Sequence, residues 1–147
     1  MIDHVNIVVC DLETSARFYE RVFGLERGFS ALLEGEWIAQ VTGLPHVRAR
    51  CLFLAAPDGE TRIELLQYEM PPGEMLPANS LPNTRGLRHL ALTCDGLDAL
   101  LGRLQELGVT PLSPPVEVPF KVGNLGRKRL CYFHDPDGTL LEAAAYG

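Results

Sequence analysis

No stretch of this 147-residue sequence approaches the 18 or more apolar residues of a membrane-spanning helix, so no membrane partner is expected. The chain also lacks a basic opening segment. MIDHVNIVV enters strand-like sequence at once, and a secretory leader is not expected. An excess of positive charge is missing too: 13 Lys and Arg stand against 19 Asp and Glu, a net charge of -6. That balance argues against a nucleic-acid or anionic-surface partner. Finally, there is no Cys-x-x-Cys. The four cysteines, Cys10, Cys51, Cys94 and Cys131, are scattered, each in or beside an apolar stretch. A thiolate zinc site is therefore not expected, and the four are read as small buried hydrophobes. Cytoplasmic residence is the default expectation.

What is present is ordinary in bulk and unusual in arrangement. The apolar content of 46% and charged content of 22% fit one globular domain. The sequence, however, is written twice. IDHVNIVVCDLETSARFYERVFGL resembles LRHLALTCDGLDALLGRLQELGV, and LFLAAPDGETRIE resembles CYFHDPDGTLLE. His4 and His89 are 85 apart, Gly24 and Gly108 are 84 apart, and Glu64 and Glu142 are 78 apart. Each half thus carries the same order of features: a strand with His, a helix, a variable middle, a strand, a Pro-Asp-Gly turn, and a strand with Glu.

Periodicity turns those features into elements. Asp11 is placed to N-cap a helix with apolar residues Leu12, Ala16, Tyr19, Val22 and Phe23, stopped by Gly24. Asp95 or Asp98 is expected to cap its counterpart, with Leu97, Leu100, Leu101, Leu104 and Leu107 before Gly108. The Pro-Asp-Gly turns read as hairpins, with Gly59 and Gly138 at positive φ. Residues 33–46 fit no strand well and read as a loop or short helix covering a pocket. The expected division is a βαβββ module over residues 1–69, a Pro-rich connector over 70–85, and a second βαβββ module over 86–147, in one structural domain.

Glu64 and Glu142 each interrupt an otherwise apolar strand. A lone carboxylate in such a place is costly unless it is paired or bound to a metal. Alternation along the strands puts His4 with Asn6 and Val8, His89 with Ala91 and Thr93, Glu64 with Arg62, Leu66 and Tyr68, and Glu142 with Leu140, Ala144 and Tyr146. The opposite faces are almost purely apolar and suit packing against the helices. Two neutral imidazoles and two carboxylates form an N/O ligand set whose charge balances a divalent ion, with Zn, Ni, Co, Mn and Fe all admissible. Four protein ligands on an octahedral ion leave two positions open, which suits a substrate with two neighbouring oxygens. His46 and His134 have no repeat partner, and Asp58 and Asp137 are turn residues. Arg48, Arg50, Arg62, Arg88 and Arg127 are read as solvated, with binding of a substrate carboxylate or phosphate as the alternative.

On IDHVNIVV followed by FYERVFGL, on IEL around Glu64, on GLRHLAL around His89 and on YFHDPDGTLLE around Glu142, the chain resembles the vicinal oxygen chelate superfamily. That superfamily includes glyoxalase I, methylmalonyl-CoA epimerase, extradiol dioxygenases, and the fosfomycin and bleomycin resistance proteins. The resemblance implies an α+β fold in which two tandem βαβββ modules form open curled mixed sheets, half-barrels around a metal site, with the helices outside. It implies that His4, Glu64, His89 and Glu142 are the metal ligands, a set most like glyoxalase I and the epimerase. The implied activity is that of a metal-dependent lyase or isomerase stabilising the enediolate of a small hydroxy-carbonyl or acyl-thioester substrate, with Glu142 or Glu64 as base. A homodimer is also implied. The alternatives are an extradiol Fe(II) dioxygenase, with Glu64 the carboxylate most naturally standing off the metal, and a metal-free drug-sequestering protein. Trp37, Phe29, Phe53, Phe120, Tyr68 and Tyr132 are the candidate aromatics of such a cleft. The chain departs from glyoxalase I after IEL, where it reads LQYEMPPG.

Overall fold

A computed structural model of the chain describes residues 2–59, 61–75 and 81–147. The fold is α+β, and the chain forms two compact units, residues 1–75 and 76–147. The first contains β1 (Val5–Val8), α1 (Leu12–Phe23), β2 (Glu26–Glu34), α2 (Glu36–Thr42), β3 (Arg48–Ala55) and β4 (Arg62–Met70). The second contains β5 (His89–Thr93), α3 (Leu97–Glu106), β6 (Val116–Lys121), a 3-10 turn at Gly123–Leu125, β7 (Arg127–His134) and β8 (Leu140–Tyr146). Each is a βαβββ unit built on a four-stranded mixed sheet, in the orders β1-β4-β3-β2 and β5-β8-β7-β6. Part of the expected connector, residues 76–80, lies outside the described residues.

The strand crossover explains how a His and a Glu far apart in sequence become neighbours. The helix carries the chain over the sheet, so the last strand of each unit pairs in parallel with the first. Asn6 is opposite Glu64 in the first unit, and Ala91 is opposite Glu142 in the second. The intervening antiparallel strands put Phe53 opposite Glu64 and Tyr132 opposite Glu142.

Helix α1 forms where expected. Asp11 has extended backbone and accepts a hydrogen bond from the Thr14 N–H, and Gly24 ends the helix in the left-handed region, its N–H reaching the Glu20 carbonyl. Leu12, Ala16, Tyr19 and Val22 are buried, together with Ser15 and Phe18. Phe23, the last residue of the helix, is only half-buried. α1 packs on β3 and β4, over the fully buried Leu54, Ile63 and Leu65. Each such side chain contributes roughly 1.5–3 kcal/mol of apolar transfer. Arg27 of β2 clasps the helix from outside, pairing with Glu13 at 2.7 Å and Glu20 at 2.8 Å.

The second helix corrects one expectation. Its N-cap is Gly96, without a side-chain cap bond, and neither Asp95 nor Asp98 caps it. The helix begins at Leu97, one residue after Gly96, so Asp95 precedes the cap and Asp98 falls inside the first turn. Gly108 does close it, at φ 70°, and the Val109 N–H returns to the Leu104 carbonyl. Leu97, Leu100 and Leu104 are buried, while Leu101 and Leu107 are half-buried.

Both Pro-Asp-Gly turns close as hairpins, with Gly59 at φ 73° and Gly138 at φ 85°. The second turn has an added brace. Buried Asp135 accepts hydrogen bonds from the N–H groups of Asp137 and Thr139, where the first turn has Ala56. Residues 33 and 34 belong to the end of β2, and the short helix anticipated in residues 33–46 is α2. Its Ile38 packs with Val47, Ala49, Leu33 and Tyr68. Because Tyr68 shares a face with Glu64, α2 covers one end of the face that carries the carboxylate. Cys51 and Cys131 are buried, Cys94 is half-buried and Cys10 is exposed. Cys10 is thus not the buried hydrophobe expected of it: β1 ends at Val8, and Cys10 lies in the bend leading to α1.

Candidate metal centre

In the first unit, His4 Nε2 lies 3.3 Å from Glu64 Oε2. In the second, His89 Nε2 lies 3.5 Å from Glu142 Oε2. Each unit therefore brings its own His and Glu together. Both distances exceed the usual N–H···O range of about 2.7–3.2 Å. Two donors on one ion, with bonds of about 2.1 Å at 90–109°, lie about 3.0–3.4 Å apart; the first pair falls in that range and the second just above it. Among the described residues, no three His, Cys, Asp or Glu side chains form a group able to hold a metal ion. Each half offers two donors.

The first pair is braced on every side. His4 Nδ1 is 2.7 Å from Asp3 Oδ2. A carboxylate only accepts, so Nδ1 carries a proton and Nε2 is the nitrogen that faces Glu64. Asp3 is itself held by the guanidinium of Arg62. The hydrogen bond from His4 is the largest influence and lowers the Asp3 pKa; desolvation opposes it, and the Arg62 charge lowers it further. An imidazole lone pair and a carboxylate facing one another require a cation or a proton between them, and a carboxylate behind the ring is the usual second partner of a metal-binding histidine. Glu64 is anchored by neutral donors: Asn6 Nδ2 donates to Oε2 at 2.9 Å, and the Cys51 thiol reaches Oε1 at 3.4 Å. Burial first, and the Glu64 carboxylate second, push the Cys51 pKa up to about 12.

The second pair is built differently. The Glu142 side chain is only 4% exposed, and Lys128 Nζ stands 2.5 Å from its Oε1. Apart from this ion pair, no hydrogen-bond partner among the described residues reaches that oxygen. The Glu142 contact raises the Lys128 pKa. Burial, followed by the charge and hydrogen bond of Glu142, raises that of Tyr132. The aromatic neighbours repeat between units: the His4 and Phe53 rings lie 5.3 Å apart edge-on, and those of His89 and Tyr132 lie 5.2 Å apart.

The four residues singled out in the sequence thus form two matching pairs, and their donor chemistry fits a divalent ion. Glu142 is buried and Glu64 half-buried, and in each pair an imidazole nitrogen faces a carboxylate oxygen. Sequence reasoning missed Asp3, Asn6, Cys51 and Lys128. Asp3 was visible as a carboxylate adjacent to a candidate ligand, and Asn6 as the polar residue on the His4 face. The role of Lys128 depends on β7–β8 register, which the sequence does not print. Several arginines are engaged in ion pairs rather than simply solvated: Arg62 with Asp3, Arg48 with Glu34 and Glu69, and Arg127 with Glu117. Of the six aromatics proposed for a cleft, Phe29, Trp37 and Phe120 are exposed.

The family model for the Glyoxalase/Bleomycin resistance protein/Dioxygenase superfamily matches residues 1–143. The chain belongs to that superfamily. Among its relatives, the virulence protein STM3117 of Salmonella typhimurium is 29% identical over 145 residues, covering 99% of this chain and 83% of that protein. The crystal structure of a glyoxalase family protein from Bacillus cereus superposes with a TM-score of 0.85 at 29% identity, over 99% of this chain and 93% of that one. A more distant match, at 21% identity and a TM-score of 0.62, is the fosfomycin resistance protein FosX of Listeria monocytogenes, solved with Mn(II) and sulfate. It covers all of this chain and 93% of its own, and shows the fold alone. No helix among the described residues is long and apolar enough to cross a membrane.

Proposed function

We propose that this superfamily member is a divalent-metal-dependent lyase or isomerase of the glyoxalase/epimerase type, acting on a small hydroxy-carbonyl or acyl-thioester substrate. His4, Glu64, His89 and Glu142 are its metal ligands. The observation that carries the reading is the recurrence, in both units, of a histidine Nε2 facing a glutamate oxygen at 3.3 and 3.5 Å. A divalent cation such as Zn, Ni, Co, Mn or Fe would supply Lewis acidity toward a substrate with two neighbouring oxygens. Mn(II) in FosX illustrates a metal in this fold.

The chain's own groups then have distinct tasks. Asp3 and Arg62 fix the tautomer and tilt of His4. Asn6 holds Glu64 by one oxygen. A carboxylate, Glu142 or Glu64, takes the proton from the carbon next to the substrate carbonyl and returns it to the neighbouring carbon or the opposite face. A homodimer in the cytoplasm is part of the same proposal. Incubating the metal-loaded protein with 2-hydroxy carbonyl compounds and acyl thioesters in deuterated water tests it. The reading predicts deuterium at the carbon beside the carbonyl in at least one class, lost on Glu142→Gln or Glu64→Gln. No exchange in either class, with metal bound, contradicts it.

The Lys128–Glu142 contact supports a second reading. If that ion pair keeps Glu142 off the metal, rather than the Glu64 expected from the sequence, then His4, His89 and Glu64 make the two-histidine, one-carboxylate set of Fe(II) oxygenases. Oxygen uptake with a panel of catechols under Fe(II) separates the two readings.

A further inference from the structure

We propose that Lys128 is an internal counter-cation competing with the metal for Glu142, so that Glu142 is the exchangeable ligand and Glu64 the fixed one. The proposal rests on the metal-ligand set put forward under Proposed function. Its basis is a difference between the two units at one register position.

Phe53 lies opposite Glu64 as Tyr132 lies opposite Glu142. Four residues earlier on the same strand, and on the same face, the first unit has Ala49 and the second has Lys128. Ala49 is buried in the apolar cluster under α2. Lys128 points at the carboxylate, 2.5 Å from Oε1, and lies over the Tyr146 ring at 5.9 Å. Glu64 is held instead by the Asn6 amide and the Cys51 thiol.

The two kinds of partner act oppositely on metal binding. A neutral donor orients a carboxylate and leaves its charge available to a cation. A lysine ammonium delivers a full positive charge to the same oxygen, repels an incoming ion, and gives the carboxylate a low-energy place to rest when it is not on the metal. This competition is strong because the Glu142 side chain is only 4% exposed, so water does little to screen it. The duplicated halves have therefore diverged into one rigid and one yielding carboxylate.

The test is the affinity of the full-length chain for Co2+ in competition with a chromophoric chelator. Lys128→Met keeps an unbranched side chain of nearly the same length and removes the charge, and should bind Co2+ about tenfold more tightly or better, the scale of one charge-assisted contact. Lys128→Arg, which keeps the charge, should stay within about threefold of wild type. Lys128→Gln provides a second neutral variant should the methionine protein fold poorly, and should tighten binding in the same direction. Wild-type binding combined with neutral variants that bind equally or more weakly overturns the proposal while leaving the metal site standing. A wild-type chain that takes up no Co2+ overturns the site itself and the proposal with it.

Discussion

Replacing Asp3 with alanine should weaken divalent-metal binding without unfolding the protein. The carboxylate lies 2.7 Å from His4 Nδ1 and does two things: it selects the tautomer with a lone pair on Nε2, and it stops the ring from turning. Removing such a partner from a metal-bound histidine typically costs about 10–100-fold in affinity. Asp3→Asn keeps an acceptor for the Nδ1 proton but loses the charge, so its effect should fall between alanine and wild type. Arg62→Ala leaves the carboxylate in place without its clamp and should cost less than Asp3→Ala. The Asp3 side chain is 72% exposed, so thermal unfolding of the metal-free variants should stay close to wild type. Chelator competition with Zn2+ or Co2+ measures the affinities, and a thermal melt provides the control. Asp3→Ala binding at wild-type strength would refute the role given to Asp3 and with it the orientation of His4.

Other expectations follow from single contacts. Asp135→Ala removes a buried acceptor of two backbone N–H bonds, and urea unfolding should show a loss of about 2–4 kcal/mol; a loss under about 0.5 kcal/mol would contradict the bracing role. The Asp11 carboxyl is held below its ordinary range chiefly by its hydrogen bonds to Thr14. A depressed folded pKa means the contribution is complete above the ordinary carboxylate range and is lost as pH falls through the depressed value. The stability gap between wild type and Asp11→Ala should therefore be full near neutrality and close in strong acid; a gap independent of pH would contradict this. With Cys51 buried and its pKa near 12, iodoacetamide at mildly alkaline pH should label the exposed Cys10 well before Cys51, as read by peptide mass; equal rates would contradict the buried setting.

The doubling of the chain was legible because it is written in chemically marked residues. His, Asp, Gly, Pro-Asp-Gly and Glu recur in order, and each implies a cap, a turn or a ligand. The faces were legible too, since strand alternation alone sorts Ile63 and Leu65 from Glu64. The missed parts depend on tertiary register. Lys128 looks like one more basic strand residue until β7 is set beside β8. Gly96 displaced the expected aspartate caps because helix start is a local competition among several plausible residues, and that competition is decided by backbone geometry. Cys51 looked like core, and it is core, yet its sulfur also touches Glu64.

The central claim is that His4, Glu64, His89 and Glu142 hold one divalent cation per chain. Metal content after loading with Mn2+, Co2+ or Zn2+ and desalting tests it most directly, in wild type and in His4→Ala and His89→Ala separately. The account predicts close to one equivalent for wild type and less than about a tenth for each variant, because each removes a ligand from the same ion. Retention by both variants, or loss in one with full retention in the other, would contradict the proposed four-ligand set.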